Sequence, residues 1–220
     1  VKNLLYRSFT SVDVERLFSL YPITQSIVSS VANMEPAVIN ALHRLSKRFV
    51  LFDHLTPLPI ANCYQTPETL GHDRIAAAVG AWTQCPGRPL LVVDAGAAIT
   101  YDLVSAQGKC MGGNIAAGIG MRLRALHEQT GRLPLVASDG EVPLLGYDTE
   151  TAIRSGALQG AAYELEGYIT ACKEEYPELL VFLTGGDAER LATIIKRTIF
   201  VGRNLVPKGL NRILEYNVEV

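Results

Sequence analysis

The chain of 220 residues is short of the features that mark several protein classes. It has no excess of either charge, since 20 Lys and Arg stand against 22 Asp and Glu, for a formal net charge of −2. That argues against a protein held to nucleic acid by bulk electrostatics, which would carry a basic excess or a basic stripe. No stretch approaches the ~18 consecutive apolar residues of a membrane span, and no signal peptide stands out. Cysteine is sparse: Cys63, Cys85, Cys110 and Cys172 are scattered, as are the four histidines, and neither set has metal-ligand spacing. The expectations are free thiols, a cytoplasmic location, no metal cluster built from Cys and His, no nucleic-acid partner and no membrane partner.

What is present is ordinary globular material. Apolar residues make up 48% and charged residues 19%, and a chain of this length can bury about 70% of its unfolded surface. Strand-like and helix-like stretches alternate, which predicts an α/β fold with helices packed on a parallel or mixed sheet. "NLLYRSF" (3–9), "SIVSSVA" (26–32) and "FVLFD" (49–53) read as strands, with helices over 11–20 and 35–48 between them. Residues 54–66 read as a loop, followed by an alanine-rich helix to about Trp82 that Pro86-Gly87 ends. Residues 90–116 read as a three-stranded meander. Helices are expected over 119–128, 149–175 and 207–216, a loop over 131–147 and a strand at 199–201, and "LLVFLTGGDAERLATIIKR" (179–197) reads as a strand, a glycine turn and a helix. Two halves follow, 1–87 and 88–220.

Three segments set glycine beside polar groups at the ends of apolar strands. They are Asp94-Ala95-Gly96-Ala97-Ala98, "GGNIAAG" (Gly112 to Gly118) and "LTGGDA" (Leu183 to Ala188). Glycine lets a backbone approach a ligand closely, and the N–H groups of such turns form anion cradles. Each alone suits a plain turn, whereas three in one α/β chain point to a nucleotide or phosphate site at the strand ends. A fourth segment, "LGHDRIAAAVGA", puts Asp73 and Arg74 at a helix start. An acid there suits the helix dipole, and Arg74 could be a surface residue. The functional reading is an acid and a base poised for a small polar substrate, as in phosphoryl transfer, where positioning dominates. "MRLRALHE" (Met121 to Glu128) reads as a helix with a solvated face carrying Arg122, Arg124 and His127.

Tyr64, "LGHDR" (Leu70 to Arg74), "VVDAGAAITYD" (Val92 to Asp102), "GGNIAAGI" (Gly112 to Ile119), "DTETAIRSG" (Asp148 to Gly156) and "TGGDA" (Thr184 to Ala188) occur in a specific order. Together they resemble the type III pantothenate kinase family. The resemblance implies two ribonuclease H-like halves of the acetate and sugar kinase/Hsc70/actin type, and a homodimer. It implies phosphorylation of pantothenate by ATP to 4′-phosphopantothenate, the first step toward coenzyme A, with Mg²⁺ and a monovalent cation, K⁺ or NH₄⁺. By the same resemblance Asp73 is the general base. Tyr64, Gly71, His72, Arg74 and Thr149 hold pantothenate with it, Gly96, Ala97, Gly185 and Gly186 lie at the nucleotide, and Asp94 binds the monovalent cation.

The chain departs from the family pattern in three places. The Asp-x-Gly-Asn-Thr loop of the family is not found, so the first half is expected to lack its first strand and phosphate loop, in a trimmed form of a longer protein. Ala97 stands where the family has threonine, leaving a backbone N–H but no hydroxyl; one hydrogen bond to a charged group contributes about 1.5–3 kcal/mol. Ala117 stands where proline is frequent, which loosens that loop. The rival readings are a pantothenate-binding relative with impaired catalysis, a regulatory protein of the same fold, and a kinase for another small alcohol.

Overall fold

A computed structural model describes Leu4, Tyr6, residues 8–30 and residues 34–219. Within the strand expected at 3–9, the described residues Leu4, Tyr6, Ser8 and Phe9 are not in a strand, and the one expected at 26–32 ends at Val28, with Ser29 and Ser30 outside it; the rest of both ranges lies outside the described residues. The chain forms two compact units, 1–84 with 204–220, and 85–203.

The first unit opens with helix α1 (Ser11–Leu20), closed at its start by a reciprocal cap. The Asp13 N–H donates to Thr10 Oγ1, and the Thr10 N–H donates to Asp13 Oδ2 at 2.9 Å. Strand β1 (Gln25–Val28), helix α2 (Pro36–Leu45) and strand β2 (Arg48–Leu51) form a parallel crossover, paired from Gln25↔Arg48 to Val28↔Leu51. Pro36 stands in the first turn of α2, where its missing N–H costs nothing. The helix stops earlier than its apolar period suggests, because Arg48 and Phe49 join the strand ladder instead. Val14, Val28, Val38, Ala41 and Leu42 form the core here, with Phe9, Phe18 and Phe49 packed on it.

The expected loop at 54–66 contains a two-residue strand, β3 (Ala61–Asn62). A 3₁₀ turn at Pro67–Thr69 leads into helix α3 (His72–Gln84), buried from Arg74 to Ala81. That burial has a partner the sequence does not announce. The closing helix belongs to this first unit and not to the second half, as the division at residue 87 had it. It packs along α3 at glycine contacts. A Cβ on Gly80 would strike the Leu205 carbonyl oxygen, and one on Gly209 would strike the Ala76 carbonyl.

The second unit is built on a mixed sheet with strands β4 (Leu90–Ala95), β5 (Ala98–Val104), β6 (Lys109–Ala117), β7 (Leu180–Thr184) and β8 (Phe200–Val201). The order is β6-β5-β4-β7-β8: the β4-β5-β6 meander is antiparallel, and β7 and β8 run parallel to β4. Leu90 to Val93 are buried on both faces of the sheet, as a central strand requires. Helix α4 (Ile119–Glu128), helix α5 (Thr149–Glu175) and helix α6 (Ala188–Ile194) supply the remaining core through Ile119, Leu123, Ile153, Leu158, Leu165, Ile169 and Leu191. Helix α7 (Leu205–Glu219) is the closing helix of the first unit and is longer than the 207–216 expected. Pro207 sits in its first turn, where no intrahelical N–H bond is lost.

Candidate functional site

In the first unit the functional side chains gather where the Pro67–Thr69 turn meets α3. The Gly71 carbonyl accepts from the Arg74 and Ile75 N–H groups, at 3.1 and 3.3 Å, and so opens the helix. Asp73 is exposed, and its Oδ1 accepts from the Arg74 N–H at 2.9 Å. A Cβ on Gly71 would lie 2.6 Å from that oxygen, so glycine leaves the space the carboxylate occupies. Arg74 is not the surface residue considered from sequence: it is 6% exposed, with its guanidinium carbon 5.6 Å from the centre of the Tyr64 ring. The Tyr64 N–H donates to Asn62 Oδ1 at 3.0 Å, which sets the strand end that carries the ring. His72 packs on Phe52 with ring centres 5.0 Å apart, and its Nδ1 has no partner among the described residues. The structure therefore brings Tyr64, Gly71, His72, Asp73 and Arg74 into one neighbourhood.

In the second unit the chemistry collects at the end of β4. Asp94 faces Thr100 of β5 and Thr184 of β7 across the ladder. The Gly96 N–H donates to the Ala98 carbonyl at 3.0 Å and tightens the turn. The glycine turn after β7 presses on the same place. Gly185 has φ +97°, and a Cβ there would overlap the Ala95 carbonyl and lie 2.5 Å from Asp94 Oδ1. The Asp187 N–H donates to the Ala95 carbonyl at 3.0 Å and holds the two turns together. Gly186 has open space around it, and Ala97 is exposed. Gly118 closes the third side. Its N–H donates to the Ala97 carbonyl at 3.2 Å, and a Cβ would overlap the Gly96 and Ala97 carbonyl oxygens. All three glycine segments singled out in the sequence thus meet at the Asp94–Ala98 turn.

Thr149 is placed by a different device. It is the first residue of α5, exposed, behind a cap in which the Thr151 N–H donates to Asp148 Oδ1 at 2.8 Å and the Thr151 hydroxyl to the same oxygen at 2.7 Å. These bonds hold the Asp148 carboxyl below the usual carboxylate range.

A type III pantothenate kinase family model matches residues 7–171. The chain belongs to the type III pantothenate kinase family. The Bacteroides fragilis type III pantothenate kinase is 51% identical over 216 residues, 98% of this chain and 89% of the relative. The Phocaeicola vulgatus type III pantothenate kinase is 49% identical over 201 residues, 91% of this chain and 83% of the relative. A solved structure, of a conserved Baf family protein from Campylobacter jejuni, superposes with a TM-score of 0.59 at 22% identity. It covers 94% of this chain and 89% of that one, a likeness of fold.

Among the described residues, no three His, Cys, Asp or Glu side chains cluster as metal ligands. The Asp94 turn offers one carboxylate flanked by two glycines, and a side chain on Gly185 would fill the space beside it. No helix among the described residues is long and apolar enough to cross a membrane.

Two charged groups escaped the sequence reading. Arg154 is 8% exposed; its Nε donates to the Ala137 carbonyl at 2.9 Å and its Nη1 to the Glu141 carbonyl at 3.3 Å, anchoring the 131–147 loop. Gly140, at φ +123°, gives that guanidinium its space. Arg122 is not on a solvated face: it donates to the Ala117 carbonyl and pairs with Glu164, whereas Arg124 is exposed. No sequence signal marks either arginine as held in place, because Arg122 pairs with Glu164 and Arg154 with the Ala137 and Glu141 carbonyls, 42, 17 and 13 positions away.

Proposed function

We propose that this chain catalyses the reaction its family is named for: transfer of the γ-phosphoryl group of ATP to the primary hydroxyl of pantothenate, toward coenzyme A in the cytoplasm. Asp73 is the general base. As the new P–O bond forms and ADP leaves, the hydroxyl proton passes to the Asp73 carboxylate. Gly71 leaves room for that carboxylate, and the Arg74 N–H orients it. Tyr64, His72, Arg74 and Thr149 hold pantothenate; the buried Arg74 guanidinium over the Tyr64 ring is suited to the substrate carboxylate. The N–H groups of Gly96, Ala97, Gly185 and Gly186 receive the phosphates, and Asp94 carries the K⁺ or NH₄⁺ that offsets its own charge beside them. Mg²⁺, when bound, neutralises charge on the transferring phosphates. A homodimer completes this reading; exposed Leu144, Leu145 and Tyr163 supply apolar surface for it.

The observation that carries the reading is the exposed Asp73 carboxylate held at the start of α3 in a chain of this family. The test is steady-state kinetics on Asp73→Asn. Its kcat should fall by about 10²–10⁴-fold, the contribution of a positioned general base, with the ATP KM little changed. A kcat close to that of the parent chain would remove Asp73 from the base role.

One observation favours a second reading. Ala97 offers no hydroxyl at the nucleotide turn. A chain that binds pantothenate but transfers phosphate poorly would show pantothenate affinity by calorimetry with little ATP affinity.

A further inference from the structure

The pair formed by Arg122 of α4 and Glu164 of α5 lies behind the Asp94 turn and has no part in the reaction as described. Arg122 Nη2 donates to Glu164 Oε2 at 2.5 Å, and its Nε donates to the Ala117 carbonyl at 2.8 Å. The Tyr101 hydroxyl donates to the other carboxylate oxygen, Glu164 Oε1, at 2.9 Å, and the Tyr101 ring lies 4.3 Å from that of Tyr168. Gly160, Glu164 and Tyr168 recur every four residues, so they line one stripe of α5. A Cβ on Gly160 would sit 3.8 Å from Arg122 Nη1, so the guanidinium lies over that glycine.

The residue after Ala117 is Gly118, whose N–H holds the Ala97 carbonyl and whose missing side chain admits the Gly96 and Ala97 carbonyls. A continuous series of bonds therefore runs from α5 to the turn: Glu164 to Arg122, Arg122 to Ala117, and Gly118 to Ala97. Ala117 is the last residue of β6 and pairs with Ala98 of β5, and its carbonyl accepts in addition from Arg122 Nε. Arg122 reaches that carbonyl with Nε while its Nη2 is held by Glu164, a two-point arrangement that the single ammonium of lysine does not reproduce.

We propose that Arg122 and Glu164 are positioning residues for the nucleotide turn: through the Ala117 carbonyl they fix the Gly96–Ala97 backbone that receives phosphate. The proposal rests on the reading of that turn as the nucleotide site. Neither side chain touches a substrate.

The test uses the full chain carrying Arg122→Met, Arg122→Lys, Glu164→Gln and, as a control on the same helix, the exposed Arg124→Met. Amide hydrogen exchange is measured over 95–98 and 116–119, and KM is measured separately for ATP and pantothenate. Arg122→Met should speed exchange in both segments and raise the ATP KM about tenfold, as loss of one charge-assisted hydrogen bond implies. The pantothenate KM should stay within about twofold, the spread of a neutral surface change. Arg122→Lys should fall near Arg122→Met, Glu164→Gln between it and the parent, and Arg124→Met at the parent value. Unchanged exchange in Arg122→Met overturns the proposal whatever the kinetics. Faster exchange with an unchanged ATP KM, or with an unchanged Kd for ATP by calorimetry, also overturns it and places the nucleotide elsewhere. A rise of both KM values in parallel overturns it in favour of general loosening.

Discussion

Replacing Gly209 of α7 by alanine sets two effects against each other, and the structure says which wins. Alanine inside a helix is favoured over glycine by about 1 kcal/mol, chiefly through backbone entropy. At Gly167 of α5 nothing lies within 4 Å of an added Cβ, so Gly167→Ala should express that gain. At Gly209 the same methyl would strike the Ala76 carbonyl of α3, 2.7 Å from its carbon and 2.9 Å from the Gly80 nitrogen. Ala76 C=O and Gly80 N–H are the two ends of one helical hydrogen bond. These are backbone atoms and cannot rotate aside, so α3 and α7 must separate. With overpacking at about 3 kcal/mol and the helix gain at about 1 kcal/mol, Gly209→Ala should lose about 2 kcal/mol. Urea unfolding followed by circular dichroism measures both variants against the parent, with the slope checked for constancy. Because α3 carries Asp73, Gly209→Ala should also raise the pantothenate KM. A Gly209→Ala chain as stable as Gly167→Ala would refute the close crossing of α3 and α7.

Ala97→Thr adds a hydroxyl at the exposed position of the proposed nucleotide turn and should tighten ATP binding about tenfold; calorimetry of ATP would show no gain if that turn does not face phosphate. Tyr101 carries a pH prediction. Burial first, then the hydrogen bond and charge of Glu164, push its hydroxyl well above the ordinary tyrosine range, with Arg122 opposing in part. The unfolded chain loses this proton near pH ~10, so the folded form binds more protons at higher pH. The stabilisation is complete below pH ~10 and is lost as pH rises beyond it. Tyr101→Phe should therefore lose about 0.5–1.5 kcal/mol near neutrality and less than the parent loses on going to alkaline pH. Tyr147 and Tyr176 are also raised, by Glu141 and Glu175, but they are common to both chains. Parallel stability curves for the two chains above pH ~10 would contradict the assignment.

Local chemistry was legible wherever neighbours in the chain decide the outcome. The bounds of α1, α4 and α5 follow from period and punctuation: Thr10 with Asp13, Gly118 before Ile119, and Asp148 with Thr151. The meander expected at 90–116 was readable because its apolar runs break at Gly96 and Gly108, the latter at φ +71° in its hairpin. The ordered glycine and acid segments pointed to the family by themselves. The excess length given to α2 has a physical cause, since Arg48 satisfies a helical period and a parallel strand alike and only pairing with Gln25 decides between them.

The sequence alone determined the strands of the second unit, most helix ends, the α/β class and the residues from which a phosphate site is proposed. These depend on side-chain period, caps and backbone freedom, which act over a few residues. The tertiary structure alone decided that α7 packs on α3 through Gly80 and Gly209, that Gly185 closes on Asp94 and that Gly118 closes on the Gly96 and Ala97 carbonyls. It also decided that Arg122, read as solvated, meets Glu164 from 42 positions away. Such contacts leave no period behind: a glycine that admits another backbone and a glycine in open solvent are the same letter, and only packing tells them apart.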